Sequence, residues 1–262
     1  MTKYQAVFLD IDGTVLTQDD RVEQSTKIAI QQIQDKGIEV FLATGRPVHE
    51  IAYLADELNI NSFIGYNGAF AICDNQEIVK EAMNPAIVEQ FTTIARSKGH
   101  EMLLFSNRQN LFLSLESPIS KQIIEFLHFK NNAEFTNDNY GDILSMCLMN
   151  LGDEDLSFYE TNENLRLSPV HADGMRNDFD VIRESVNKGH AVSKVLKHLG
   201  ISPENAIAFG DGMNDKEMLT VVGEGFAMGN AHPLLFKHAK HRTTDVSNSG
   251  IFNGLKSLGL VE

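Results

Sequence analysis

The chain of 262 residues carries 22 Lys and Arg against 36 Asp and Glu, a formal net charge of −14. It is long enough to bury a sizeable core and to form one large or two modest domains. Such a charge disfavours nucleic acid and anionic membrane surfaces as partners and repels phosphorylated substrates at long range, so any anion site has to be local.

Ala6, Val7, Phe8 and Leu9 form an apolar run closed by the acidic turn Asp10, Ile11, Asp12, Gly13 and Thr14. This pattern predicts a short strand buried on both faces in the middle of a parallel sheet. Continued alternation turns Asp10 and Asp12 the same way and Ile11 back into the core. Two carboxylates that close repel, and a hard divalent cation is the simplest group to hold both at neutral pH. Gly13 permits the sharp turn, and the Thr14 hydroxyl is expected to fasten the loop. The loop is not an EF-hand, because its sixth and twelfth positions from Asp10 are Val15 and Arg21 instead of Gly and Glu.

Ser25 or Thr26 is expected to cap a helix carrying Ile28, Ile30 and Ile33, which stops at Lys36 and Gly37. The next strand, residues 38–43, follows a right-handed crossover, so Thr44, Gly45, Arg46 and Pro47 stand at the same sheet edge as Asp10. With Pro47 opening a helix over residues 48–58, Thr44 and Gly45 offer a hydroxyl and backbone N–H groups to an anion, or Thr44 is only an N-cap. A strand at 62–65 ends in Tyr66, Asn67 and Gly68, where Asn-Gly opens a hairpin into residues 69–72.

From about residue 80 the strand and helix alternation stops. A helix from Pro85 to about residue 98, hairpin strands at 101–106 and 110–115, and a helix at 120–129 are followed by an Asn- and Asp-rich loop at 131–142. Strands then fit 143–150, 164–171 and 178–182, the last two joined through Asp173 and Gly174, so this stretch reads as an α+β insertion. Alternation resumes near residue 186. Asn187, Lys188 and Gly189 precede a helix carrying Val192, Val195, Leu196 and Leu199 that stops at Gly200. A second buried strand, 206–209, delivers Gly210, Asp211, Gly212, Met213, Asn214 and Asp215 to a glycine-rich loop. A short helix at 216–221, a strand at 224–228, a helix begun by Pro233 and a last helix through Leu255 complete the chain. His238 and His241 read as solvated residues at a surface helix end.

Four strand ends converging on one sheet edge with two acid clusters, a hydroxyl and a lysine describe a phosphoryl-transfer site. Residues 10–16, Thr44-Gly45-Arg46, Lys188 and residues 210–215 resemble, in order and spacing, the four motifs of the haloacid dehalogenase superfamily of phosphatases. The insertion resembles the α/β cap of its Cof-type branch. This resemblance spans essentially the whole chain and implies an α/β fold: a doubly wound, Rossmann-like parallel sheet core over residues 1–80 and 185–262, with an inserted α+β cap domain over 81–184.

The resemblance further implies a Mg²⁺-dependent phosphatase acting on a small phosphorylated metabolite, a sugar phosphate or a cofactor phosphate. Asp10 would be the nucleophile that forms an aspartyl phosphate. Asp12 would protonate the departing alcohol and later take a proton from the attacking water. The metal falls to the Asp10 carboxylate, the Asp12 backbone carbonyl and Asp211, with Asp215 binding it through water or orienting Lys188. Thr44, Gly45, the Ile11 N–H, Lys188 and Asn214 would hold the phosphoryl oxygens, and Arg46 would reach the substrate or close the loop. Alternatives are a phosphomutase of the same fold and a non-catalytic sugar-phosphate-binding protein, the latter disfavoured because a binder does not need Asp10 and Asp12 together. Cap residues near Asn107 or Asp173 are expected to set specificity.

Cys73 and Cys147 lack metal-like spacing and read as buried apolar residues in a reducing compartment. No stretch approaches the roughly 20 apolar residues of a membrane helix, and no signal-peptide apolar region precedes the first strand. A cytoplasmic protein is expected, without a nucleic-acid, membrane or obligate protein partner.

Overall fold

The computed structural model describes residues 3–161, 164–170 and 177–262. They fall into two compact units, one formed by Met1–Arg46, Ile51–Val79 and Asn187–Glu262, the other by Pro47–Glu50 and Lys80–Val186. The first begins with β1 (Ala6–Leu9), α1 (Gln24–Asp35), β2 (Glu39–Ala43), α2 (Ala52–Leu58), β3 (Ser62–Gly65), β4 (Phe70–Cys73) and β5 (Gln76–Lys80). The inserted unit holds α3 (Pro85–Lys98), β6 (Glu101–Phe105), β7 (Asn110–Phe112), α4 (Pro118–Phe126), β8 (Asn132–Glu134), β9 (Ser145–Met149), β10 (Leu165–Pro169) and β11 (Phe179–Arg183). The first unit then resumes with α5 (Lys188–Leu199), β12 (Ala206–Gly210), α6 (Lys216–Val221), β13 (Glu224–Ala227), β14 (His241–Arg242) and α7 (Gly250–Ser257).

In the first unit eight strands form one sheet in the order β14-β13-β12-β1-β2-β3-β4-β5. The pairings from β14 through β3 are parallel, and β4 turns back antiparallel to β3. Strand alternation splits the core into two layers. Val7, Leu9, Val40, Leu42, Ile207 and Phe209 face α1, α2 and α7 through Ile30, Ile33, Leu54, Leu58, Ile251 and Leu255. Ala6, Phe8, Phe41, Ala43, Ala206 and Ala208 face α5 and α6 through Val192, Val195, Leu196, Met218 and Leu219. Helices on both faces of a mostly parallel sheet make the doubly wound arrangement, and burial on both faces explains why β1 and β12 are apolar throughout.

The inserted unit is a six-stranded sheet of order β10-β11-β9-β6-β7-β8, antiparallel except for the β7 and β8 pair. Its apolar clusters, around Phe91, Leu104 and Met146 on one face and Phe112, Ile123 and Met149 on the other, are drawn from its own residues. Cys73 and Cys147 are both free and buried. No helix among the described residues is long and apolar enough to cross a membrane.

Several local expectations are corrected. The segment 131–142 is not all loop: β8 pairs in parallel with β7, and the buried Phe135 follows it, so an edge strand lies under the polar composition. The helix expected over 48–58 breaks into a single turn at Val48–Glu50 and α2, with Ile51 out of helical conformation between them. Its first turn is held instead by Asn110, which bonds His49 Nε2 at 2.9 Å and donates to Glu50 Oε1 at 2.6 Å. Neither Ser25 nor Thr26 caps α1, whose N-cap is Glu23 without a side-chain bond; Thr26 is buried within the helix. Pro233 starts no α-helix, only a short turn at Leu235–Lys237 that buries Leu235, because a stretch this short before β14 cannot repay helix nucleation. His241 consequently lies in β14, beside Glu224. The joint at Asp173 and Gly174 lies outside the described residues.

Candidate active site

Three adjacent parallel strands, β12, β1 and β2, run directly into Asp211, Asp10 and Thr44 at their carboxyl ends. The chain leaves β1 for β2 on one side of it and returns as β12 on the other, so this edge is the crevice where open α/β sheets bind ligands. Gly13, at φ +78°, passes so close to the Asp211 carboxylate that a Cβ there would collide with it. The motif loops after β1 and β12 are therefore in direct contact.

Lys188 is the first residue of α5 and is wholly buried. Its Nζ donates to Asp10 Oδ1 and to Asp215 Oδ1, each at 2.6 Å. Asp215 is equally buried, and its other oxygen accepts the backbone N–H groups of Asp211 and Gly212, each at 3.0 Å. Asp215 thus fixes the Lys188 ammonium and the loop that carries Asp211 with one carboxylate. Burial works against the Lys188 charge, but Asp10 and Asp215 hold its pKa above the usual lysine value. Asp10 is pushed well above the ordinary carboxylate range by burial and by the Asp215 charge, against the pull of Lys188. Asp211 is raised to about 6, again by burial first and then by Asp215.

Carboxylate oxygens of Asp10, Asp211 and Asp215 lie within 4.8 Å of one another. Three acids share one ammonium in a buried place, so the cluster is short of positive charge, and the donors are hard oxygens. That donor set fits one divalent cation of the Mg²⁺ type. The side chain of Asp12 is not part of this cluster. It is half-exposed and takes two bonds from Arg46, from Nη2 at 2.5 Å and from Nε at 3.1 Å. Arg46, expected at the substrate or across the loop, is committed to Asp12, with Asp20 a further 3.6 Å partner.

The Thr44 hydroxyl is buried and accepts the Arg46 N–H at 3.0 Å, which leaves its own proton to donate. Ile11 packs its side chain in the core, and its carbonyl accepts from Val15 and Leu16 to close the β1 loop. The Thr14 hydroxyl is buried and has no hydrogen-bond partner among the described residues, so the backbone bonds fasten that loop instead. Asn214 is exposed, and its Nδ2 donates to Asn67 Oδ1 at 3.0 Å.

Two residues of this neighbourhood escaped the sequence reading. Asn67 has just been named. Asn230, in the turn after β13, donates to the Gly13 carbonyl at 2.8 Å and to Asp211 Oδ2 at 3.3 Å, and accepts the Val246 N–H at 2.9 Å. It ties the β1 loop, an acid of the cluster and the C-terminal segment together. The only signals in the sequence were Asn-Gly and Gly-Asn pairs, which ordinarily mark turns.

The family profile of the haloacid dehalogenase-like hydrolases matches residues 7–255. The chain is 30% identical over 258 residues to YkrA of Bacillus subtilis (strain 168), covering 98% of each protein. It is 28% identical over 244 residues to the HMP-PP phosphatase of Shigella flexneri serotype 5b (strain 8401), covering 90% of this chain and 88% of that one. Among solved structures, the HAD subclass IIB sugar phosphatase BT4131 matches with a TM-score of 0.79 and 25% identity, over 98% of this chain and 100% of the other.

Proposed function

Because the chain belongs to the haloacid dehalogenase-like hydrolases over nearly its whole length, we propose that it is a Mg²⁺-dependent phosphatase that cleaves a small phosphorylated metabolite through an aspartyl phosphate on Asp10. The observation that carries this reading is the bridge of Lys188 between Asp10 and Asp215, at 2.6 Å on either side, beside Asp211. A carboxylate held in a buried cluster beside a fixed ammonium is a nucleophile placed where the approach of a phosphate dianion can be neutralised.

In the first half-reaction an Asp10 oxygen bonds to phosphorus as the bond to the alcohol oxygen breaks. Asp12, once released from Arg46 and protonated from solvent, gives that proton to the leaving oxygen. Lys188 offsets charge on the transferring group, and the Thr44 hydroxyl, the Gly45 and Ile11 N–H groups and the Asn214 amide hold its oxygens. In the second half-reaction water attacks the same phosphorus, Asp12 takes the water proton, and Asp10 leaves with inorganic phosphate as the product. Asp10, Asp211 and the Asp12 carbonyl would hold Mg²⁺, with Asp215 behind them; when bound, the ion would neutralise phosphoryl charge and polarise the phosphorus–oxygen bonds. Residues 81–184 are assigned the part of a cap that selects the metabolite. The HMP-PP and sugar phosphatases among the relatives favour a sugar or cofactor phosphate as its class.

Hydrolysis of p-nitrophenyl phosphate by the purified protein tests the reading. Activity is expected to vanish in chelator and return with Mg²⁺, and Asp10→Asn is expected to remove turnover while the variant still melts cooperatively. Full turnover by Asp10→Asn would rule out Asp10 as the nucleophile.

A further inference from the structure

Asn67 lies in none of the four motif segments, yet the turn that carries it touches three of them. Tyr66 and Asn67 both have φ +53°, a left-handed conformation in succession that a bulky residue such as Tyr adopts only when its surroundings hold it there. The holding contacts are specific. The Tyr66 N–H donates to the Arg46 carbonyl at 3.3 Å, and the Asn67 N–H donates to the Thr44 carbonyl at 3.1 Å. A Cβ on Gly45 would stand 3.1 Å from both amide atoms of Asn67, so the side chain lies flat against the Thr44 and Gly45 loop. Gly68, at φ +102°, abuts the backbone of Asn187 where α5 begins with Lys188. Asn67 Oδ1 accepts from Asn214 Nδ2 at 3.0 Å.

A hairpin between β3 and β4 alone does not call for any of these contacts, since an Asn-Gly turn closes a hairpin with its own backbone. The carboxamide has a more particular effect. Asn214 is exposed on a glycine-bearing loop, and a free amide there would rotate among several rotamers. By taking one Asn214 amide proton, Asn67 Oδ1 selects one rotamer and leaves the second proton for an incoming acceptor.

We infer that Asn67 is a positioning residue for phosphate, acting through Asn214: its carboxamide fixes the Asn214 amide against the Thr44 and Gly45 loop so that both grip the same phosphoryl group. The inference rests on the phosphatase reading for its ligand, and wild-type turnover of p-nitrophenyl phosphate in the same samples tests that reading separately.

The decisive substitution is Asn67→Gly, because glycine keeps the left-handed turn and removes only the carboxamide. Binding of inorganic phosphate in the presence of Mg²⁺ is measured by calorimetry for the wild type, Asn67→Gly, Asn214→Ala and the double variant, with melting temperatures alongside. Asn67→Gly is expected to bind phosphate about tenfold more weakly, the order for one lost hydrogen bond to an anion, while its melting temperature stays close to that of the wild type. In the Asn214→Ala background the same change is expected to cost nothing further, the signature of two residues acting as one. Wild-type phosphate affinity in Asn67→Gly would overturn the inference. So would an undiminished second loss in the double variant, which would mean that Asn67 acts without Asn214. A purely structural role would lower the melting temperature and leave the coupling at zero.

Discussion

Lys188 stands between two buried carboxylates, and replacing it separates charge from shape. In Lys188→Met, Asp10 and Asp215 keep their places but lose the ammonium, and breaking a buried pair in this way costs about 3–5 kcal/mol near neutral pH. The folded form then holds a proton on Asp10 more tightly than the unfolded chain does, because burial and the Asp215 charge raise the Asp10 pKa and Lys188 no longer lowers it. Acids of that kind are harmless below their unfolded pKa and destabilise as pH rises towards the folded value. The melting-temperature deficit of Lys188→Met is therefore expected to be large at pH 8 and to shrink towards pH 5; an equal deficit at both would contradict it. Asp10 and Asp211 could be singled out as candidates in the sequence because an acid directly after an all-apolar strand has no ordinary solvated reason to be there, and Lys188 only through its motif. Asn67 and Asn230 could not, since their partners Asn214 and Gly13 lie 147 and 217 residues away along the chain. The pairing of Asp12 with Arg46 was hidden for a related reason: spacing gives a side chain's neighbourhood but not which of several acceptors it meets.

At the scale of elements, apolar runs and glycine stops located β1, β2, β3, β12, α3 and α5 to within a residue or so, because burial on both faces leaves little freedom in composition. What failed was set by partners remote in sequence. β8 exists because β7 offers it a ladder, and Asn110, wholly buried, draws Asn132, His49 and Glu50 to one amide. The turn between β3 and β4 is the most constrained of these connections. Gly68→Ala would place a methyl group into the Asn187 carbonyl at φ +102°, which combines a steric clash with a conformation that L-residues avoid. A loss of about 2–3 kcal/mol is expected, read as a shift of the denaturation midpoint. An unchanged midpoint would mean that the start of α5 can move away without penalty, against the packing described.

As a whole the molecule is two units whose apolar clusters share no residue. A polypeptide of residues 80–186 is therefore expected to melt cooperatively by itself. Its transition should come at a lower temperature than in the intact chain, because Asn110 loses its bonds to Glu50 and His49. Circular dichroism melts of the fragment decide this, and a chain without a transition would refute it. The fold class, a wound parallel sheet with segregated strands and helices, was legible from changes of rhythm along the sequence, since alternating and segregated elements leave different periodicities. The substrate was not, because no repeating pattern in the sequence marks the residues that would choose it. Finally, under the proposed function the carboxylate cluster sets an order of arrival. With one ammonium among three acids around Asp10 in a protein already at −14, a phosphate ester coming first meets an electrostatic wall, whereas a dication coming first turns the same pocket into an attractor. Mg²⁺ alone should raise the melting temperature, as any ligand of the folded form does, and inorganic phosphate in chelator should not; a phosphate effect without metal would reverse that sequence.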